Sequence, residues 1–230
     1  MTTVGLVGGL GAESTIDYYR RIISRWRESD QSSYPSIVID SLDVDIGIRL
    51  SATDHAALAD YLSASIARLM RAGVDFTAMA ANTPHIVFDE LAKRSSVPML
   101  SIVEVCADEA RARGFKRLLI LGTRFTMEGT FYPRTFERRG LEIVAPPETD
   151  RDWIHEKYIG ELLAGKFLDA TRARLVDIIS RMRDEHSVDA LILGGTELPL
   201  LLRTDTIAGL PTLDTTELHV RAIVHRLQSA

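Results

Sequence analysis

Cysteine is nearly absent from this 230-residue sequence. Cys106 is the only one, which excludes an intramolecular disulfide framework and any cysteine-rich zinc site and suits a reducing compartment. A basic stripe is also missing. The net charge of −5 and the pI near 5.7 leave no electrostatic footprint for nucleic acid or an anionic membrane surface. Nowhere do about 18 apolar residues run together, and the start of the chain goes straight into Thr3-Val-Gly-Leu-Val7 with neither a basic n-region nor a small-residue cleavage site. These absences lead to the expectation of a cytoplasmic protein with no membrane and no nucleic-acid partner, whose ligand is a small molecule. A hydrophobic content of 46% is enough for two domains of about 100 residues each.

What the sequence does contain is a repeat. The apolar run Phe76-Thr-Ala-Met-Ala-Ala81 reads as a buried strand and breaks abruptly into Asn82, Thr83, Pro84 and His85, the kind of strand end where α/β sheets place their chemistry. A second copy, Asp189-Ala-Leu-Ile-Leu-Gly-Gly-Thr-Glu-Leu198, sets Gly195, Thr196 and Glu197 where Ala81, Asn82 and Thr83 stood. An offset of 114 (118 − 4) lays Val4-Gly-Leu-Val-Gly-Gly9 on Leu118-Leu-Ile-Leu-Gly-Thr123 and carries Ala81 onto Gly195. The offset is 113 (210 − 97) for Val97-Pro-Met-Leu against Leu210-Pro-Thr-Leu. Two duplicated βαβ-type halves are expected, related by a pseudo-twofold axis, with their strand ends lining one ligand cleft.

Thr3 to Val7, the glycine-rich Gly8-Gly-Leu-Gly-Ala-Glu-Ser14, and the helical spacing of Ile16, Tyr19, Ile23 and Trp26 read as strand, turn and amphipathic helix. Backbone N–H groups of such a turn, Gly8 and Gly9 among them, suit an anion, although Gly8, Gly9 and Gly11 do not complete G-x-G-x-x-G. Arg20, Arg21 and Arg25 read as a solvated face. Residues 35–40 form the next strand, and 41–53 a long loop carrying Asp43, Asp45 and Arg49, which is either functional or an exposed connection. A helix is expected at 54–72, another at 86–94, and a strand at 97–102 leading into the helix of Cys106, a buried structural thiol. The second half reads as strands 117–121, 141–145, 189–193 and 210–213 with helices near 132–138, 152–163, 170–185 and 215–228. Asn82, Thr83, Thr123, Thr126 and Thr196 together suit one or two carboxylates without a metal. Each threonine taken singly reads better as a turn or helix N-cap.

Gly8-Gly-Leu-Gly-Ala12, Ala81-Asn-Thr-Pro-His85, Thr123-Arg-Phe-Thr-Met-Glu128, Gly194-Gly-Thr-Glu-Leu-Pro199 and Asp214-Thr-Thr-Glu-Leu-His219 occur in the order of the aspartate/glutamate racemase family, and the chain resembles that family along its full length. The resemblance implies an α/β protein of two similar Rossmann-like domains with parallel sheets, the C-terminal helix returning to the first: residues 1–103 with 214–230, and 104–213. It implies a homodimer, no cofactor and no metal, and a small carboxylate or amino acid such as aspartate or glutamate as ligand. It further implies that Gly8, Gly9, Asn82, Thr83, Thr123, Thr126 and Thr196 contact the substrate, with Arg49 on a distal carboxylate.

The family motifs read Cys-Asn-Thr-x-His and Gly-Cys-Thr-Glu, and its chemistry passes a proton between the two cysteines. Here those positions are Ala81 and Gly195, neither of which titrates. His85 and Glu197 become the candidate catalytic groups, with Glu13 and His219 behind them; the plain reading of each histidine is a satisfied, hydrogen-bonded ring. Three functions stay open: an isomerase with altered acid/base groups, a decarboxylase or lyase, and a carboxylate-binding protein without chemistry.

Overall fold

A computed structural model describes residues 2–28, 33–202 and 204–229. The chain divides into two compact units, Met1–Ile102 with Thr216–Ala230, and Val103–Thr215. No helix among the described residues is long and apolar enough to cross a membrane.

The first unit runs β1 (Thr3–Gly8), α1 (Ala12–Arg27), β2 (Ser36–Ser41), α2 (Val44–Thr53), α3 (His55–Arg71), β3 (Phe76–Met79), a 3₁₀ turn (Thr83–Val87), α4 (Phe88–Arg94) and β4 (Met99–Leu100). The strands form a parallel sheet in the order β2-β1-β3-β4. Alternation along each strand supplies both faces. Val4, Leu6, Phe76, Ala78 and Ala80 pack with α1, while Val7 and Met79 turn to the opposite side and pack with Leu58, Leu62 and Leu69 of α3. Both faces are covered, which is why the strands read as nearly continuous apolar runs.

The second unit follows from α5 (Ile102–Ala112) through β5 (Arg117–Gly122), α6 (Arg124–Glu128), α7 (Phe131–Glu137), β6 (Glu142–Val144), α8 (Glu148–Lys157), a π-helical turn (Tyr158–Leu162), α9 (Asp169–His186), β7 (Ala190–Gly194), α10 (Leu198–Leu201), β8 (Thr206–Ile207) and β9 (Leu210–Asp214). The closing helix α11 (Thr215–Gln228) packs Val220, Ile223 and Val224 into the first unit's core. The second sheet has the order β6-β5-β7-β9-β8, parallel except that β8 pairs antiparallel with β9. Apart from β8 the orders are the same: second, first, third, fourth.

The registers repeat as well. Val4 pairs with Phe76 and Leu118 with Ala190, one pair displaced from the other by 114 (118 − 4 and 190 − 76). Ala78 pairs with Leu100 and Ile192 with Leu213, displaced by 114 (192 − 78) and 113 (213 − 100). Each first strand is tied at its start by an aspartate: Asp75 Oδ2 accepts the Thr3 N–H, and Asp189 Oδ2 the Lys116 N–H, both at 2.7 Å.

Several sequence expectations are corrected. Residues 41–53 are not a long loop, because 44–53 is helix. Asp43 caps it, accepting the N–H groups of Asp45 and Ile46. Val44, Ile46, Ile48 and Leu50 alternate at a strand-like period of two and so hide the Ile46–Leu50 helical pair. The strand at 97–102 shrinks to Met99–Leu100, helix 86–94 begins with the 3₁₀ turn, and helix 152–163 becomes α8 and the π-helical turn.

Candidate functional site

In both sheets the order reverses at the first strand, since the second strand lies on one side of it and the third on the other. Ligands of open α/β sheets bind outside the strand ends at this switch point. In the first unit the switch point brings together the ends of β1 and β3, hence Gly8 and Gly9 with Ala81, Asn82 and Thr83. In the second it brings together the ends of β5 and β7, hence Thr123 with Gly195, Thr196 and Glu197. The apolar pairing that builds each sheet thus assembles each group of polar residues.

The glycine-rich turn of the first unit is closed from within. Gly9 has φ +78°, and a Cβ there would overlap the backbone N and O of Leu42, the residue that hydrogen-bonds the Gly8 carbonyl at 2.9 Å. Only glycine allows that approach. The Gly9 N–H donates to Thr15 Oγ1 at 2.8 Å.

At the end of β3, Ala81 and Asn82 are buried and Thr83 half-buried. His85 is buried as well and uses both ring nitrogens: Nδ1 donates to the Ala81 carbonyl at 3.1 Å, and Nε2 accepts the Ile102 N–H at 3.3 Å. Its ring stacks on Phe88 with centroids 5.1 Å apart. Burial, and next the nearby His219, push its pKa down to about 3. The imidazole is neutral near pH 7 and braces the turn that carries Ala81 and Asn82.

The second unit builds its turn differently. Thr123 caps α6, with the Thr126 N–H donating to its Oγ1 at 3.3 Å and the two hydroxyls 3.3 Å apart; both residues are buried. At the end of β7, Glu197 is buried, and its Oε2 accepts the Thr196 hydroxyl at 3.1 Å and the Tyr158 hydroxyl. Burial, and next the Glu197 carboxylate, raise the Tyr158 phenol well above the usual tyrosine range, so it keeps its proton. Sequence reasoning missed Tyr158, which falls inside an apparent helix and belongs to no recognisable motif. The second unit also carries an open groove of about 730 Å³ lined by Arg124, Asp152, Trp153, His155, Ile159 and Gly160, among others.

The remaining candidates are carried by helices. Arg49 is exposed on α2 and Glu13 is exposed in the first turn of α1. His219 is buried between the Tyr18 hydroxyl on Nδ1 at 2.9 Å and the Leu100 carbonyl on Nε2 at 3.2 Å, and burial lowers its pKa to about 4. Its neighbour Glu217 pairs with Arg21 and Arg25 of α1, so the Asp214–His219 segment fastens α11 to α1. Cys106 is fully buried and its thiol pKa is pushed far up, chiefly by burial. Among the described residues no group of three or more His, Cys, Asp or Glu side chains is placed to hold a metal ion.

Comparison with known proteins gives the lineage. The sequence matches the Asp/Glu/Hydantoin racemase family over residues 7–223. It is 28% identical over 145 residues to the broad-specificity amino-acid racemase RacX of Bacillus subtilis, covering 61% of this chain and 63% of that protein. It is 28% identical over 167 residues to a Thermus thermophilus glutamate racemase, covering 70% of this chain and 58% of that one. The matches therefore span about three fifths of these relatives' own length. Among solved structures, an aspartate racemase homologue from Pyrococcus horikoshii aligns over 100% of both chains at 31% identity and TM-score 0.83. A putative Asp/Glu racemase from Yersinia pestis does so at 31% identity and TM-score 0.88. The chain belongs to the Asp/Glu/hydantoin racemase family.

Proposed function

We propose that this chain is a racemase-type isomerase that binds a small carboxylate, an aspartate- or glutamate-like amino acid, at its strand-end turns and moves a carbon-bound proton with neither cysteine nor cofactor. The carrying observation is the repeat in register, to within one residue, of a switch point followed by amide and hydroxyl groups: Asn82 and Thr83 in one unit, Thr123, Thr126 and Thr196 in the other. Donors of this kind satisfy carboxylate oxygens without a metal. Arg49 serves the distal carboxylate, and the racemase names of the relatives support the amino-acid class.

With Ala81 and Gly195 unable to ionise, the proton acceptor is Glu197 in this reading, and His85 holds the first turn in place. That same lack of a titratable group at both positions favours the second reading, in which the protein captures a carboxylate without turning it over. A decarboxylase or lyase is a variant of the first. We place the protein in the cytoplasm as a homodimer, which light scattering of the purified chain checks.

The test is loss of the α-proton NMR signal in D₂O from L- and D-aspartate, L- and D-glutamate and a wider amino-acid panel. Exchange above a boiled control is the expected result. Silence across the panel, together with thermal stabilisation by a carboxylate, would establish the binding reading instead.

A further inference from the structure

Residue 195 has no side chain, yet the space it would use is not empty. A Cβ on Gly195 would stand 2.5 Å from both Cε2 and the hydroxyl oxygen of Tyr158 and 2.8 Å from its Cζ. Tyr158 stands where α8 gives way to the π-helical turn. Such a turn re-aims side chains relative to an uninterrupted helix and recurs at functional sites. Tyr158 is 3% and Glu197 1% exposed, and the phenol donates its hydrogen to Glu197 Oε2. The Glu197 N–H lies 3.4 Å from the same phenol oxygen. The second unit therefore presents a hydroxyl beside the end of β7, with a carboxylate directly behind it.

We propose that Tyr158 and Glu197 form a proton relay at the end of β7, in which Tyr158 meets the substrate carbon and Glu197 accepts the proton behind it. The relay rests on the racemase-type reading above. Balanced, the step breaks the substrate Cα–H bond as that proton bonds to the Tyr158 oxygen, while the phenol's own proton crosses its existing hydrogen bond to Glu197 Oε2. The C–H electron pair stays on the substrate as the enediolate of its carboxylate. Tyr158 is a neutral phenol before and after, and Glu197 ends as a neutral acid. The reverse step returns a proton to carbon. The phenol already directs its hydrogen at Glu197, so the order of transfer is built into the resting geometry. In the first unit the ring that braces Ala81 is His85, with both nitrogens engaged by the backbone.

The experiment compares the wild-type chain with Tyr158→Phe and Glu197→Gln by α-proton exchange in D₂O, on the same aspartate and glutamate enantiomers, with thermal melting of each protein. Tyr158→Phe keeps the ring next to Gly195, and Glu197→Gln keeps an oxygen for the phenol, so either variant alone tests the relay if the other fails to fold. The expected result is a loss of about 100-fold or more in kcat with KM changed by less than about 3-fold and melting within a few degrees. Glu197→Asp is expected to recover part of the rate together with the acidic limb of the pH–rate profile. That limb is lost in Glu197→Gln, a change that packing alone does not produce. Wild-type exchange that survives in Tyr158→Phe would overturn the relay and leave the racemase-type reading standing. A wild-type chain silent on every substrate would overturn both.

Discussion

The ends of β3 and β7 are the same place in two copies of one design. Each follows the third strand of its unit and pairs with the first strand in a matching register, and each runs from an apolar strand into a buried polar turn. What closes the two turns differs. At the end of β3 the closure is a histidine whose nitrogens are consumed by the backbone at Ala81 and Ile102. At the end of β7 it is a phenol and a carboxylate bound to each other. The two backbones match in register because register is set by which residues face the core, and a slip of one residue would turn every side chain to the wrong face. Residues past the strand end carry no such constraint, and the two turns are free to diverge in chemistry.

The contrast is most severe at the glycines. Gly9→Ala meets immovable backbone at Leu42 from a residue with φ +78°, and we expect a loss of more than about 4 kcal/mol that no single second substitution recovers, measured by urea unfolding. The acid response comes next. His85 and His219 titrate near 3 and near 4 in the folded chain against an ordinary value of 6.5. As pH falls below 6.5 the unfolded chain takes up protons that the folded one does not, so their stabilising contribution is complete above about pH 6.5 and is lost toward pH 4. Both residues belong to the first unit. Between pH 7 and pH 4.5 the melting temperature should fall by about 10 °C, with protection of β1 and β3 amides lost before that of β5 and β7 in hydrogen exchange.

Smaller effects sharpen the same comparison. Gly195→Ala meets a side chain rather than backbone, so its cost of about 2 kcal/mol should shrink in the Tyr158→Ala background. A double-mutant cycle reads this as a coupling of about 1 kcal/mol or more, and additivity would mean that Tyr158 does not occupy the space beside residue 195. Thr123→Ala removes the cap of α6 and should cost about 1 kcal/mol in thermal unfolding. The corresponding position of the first unit is Gly9, where no side chain can cap anything.

The duplicated strands, the two switch-point turns and the glycine-rich entry to α1 were legible because strand ends announce themselves by an abrupt change from apolar to polar residues, and because an offset of 114 appears twice over. The helix at Val44–Thr53 was not legible, since alternating Val44, Ile46, Ile48 and Leu50 mimic a strand and only the cap at Asp43 argues otherwise. The antiparallel β8, two residues long, is too short for any periodicity to reveal.

By itself the sequence determined the α/β class, the doubling, and which residues lie at the strand ends, because all three follow from local pattern and spacing. It also determined that Ala81 and Gly195 carry no ionisable group. Only the tertiary structure decided what stands beside those two positions. Tyr158 is 37 residues (195 − 158) from Gly195 and meets it from the start of the π-helical turn after α8, and His219 reaches Tyr18 through the return of α11 to the first unit. Contacts of that separation depend on how helices pack across a sheet, and no local pattern in the chain encodes them.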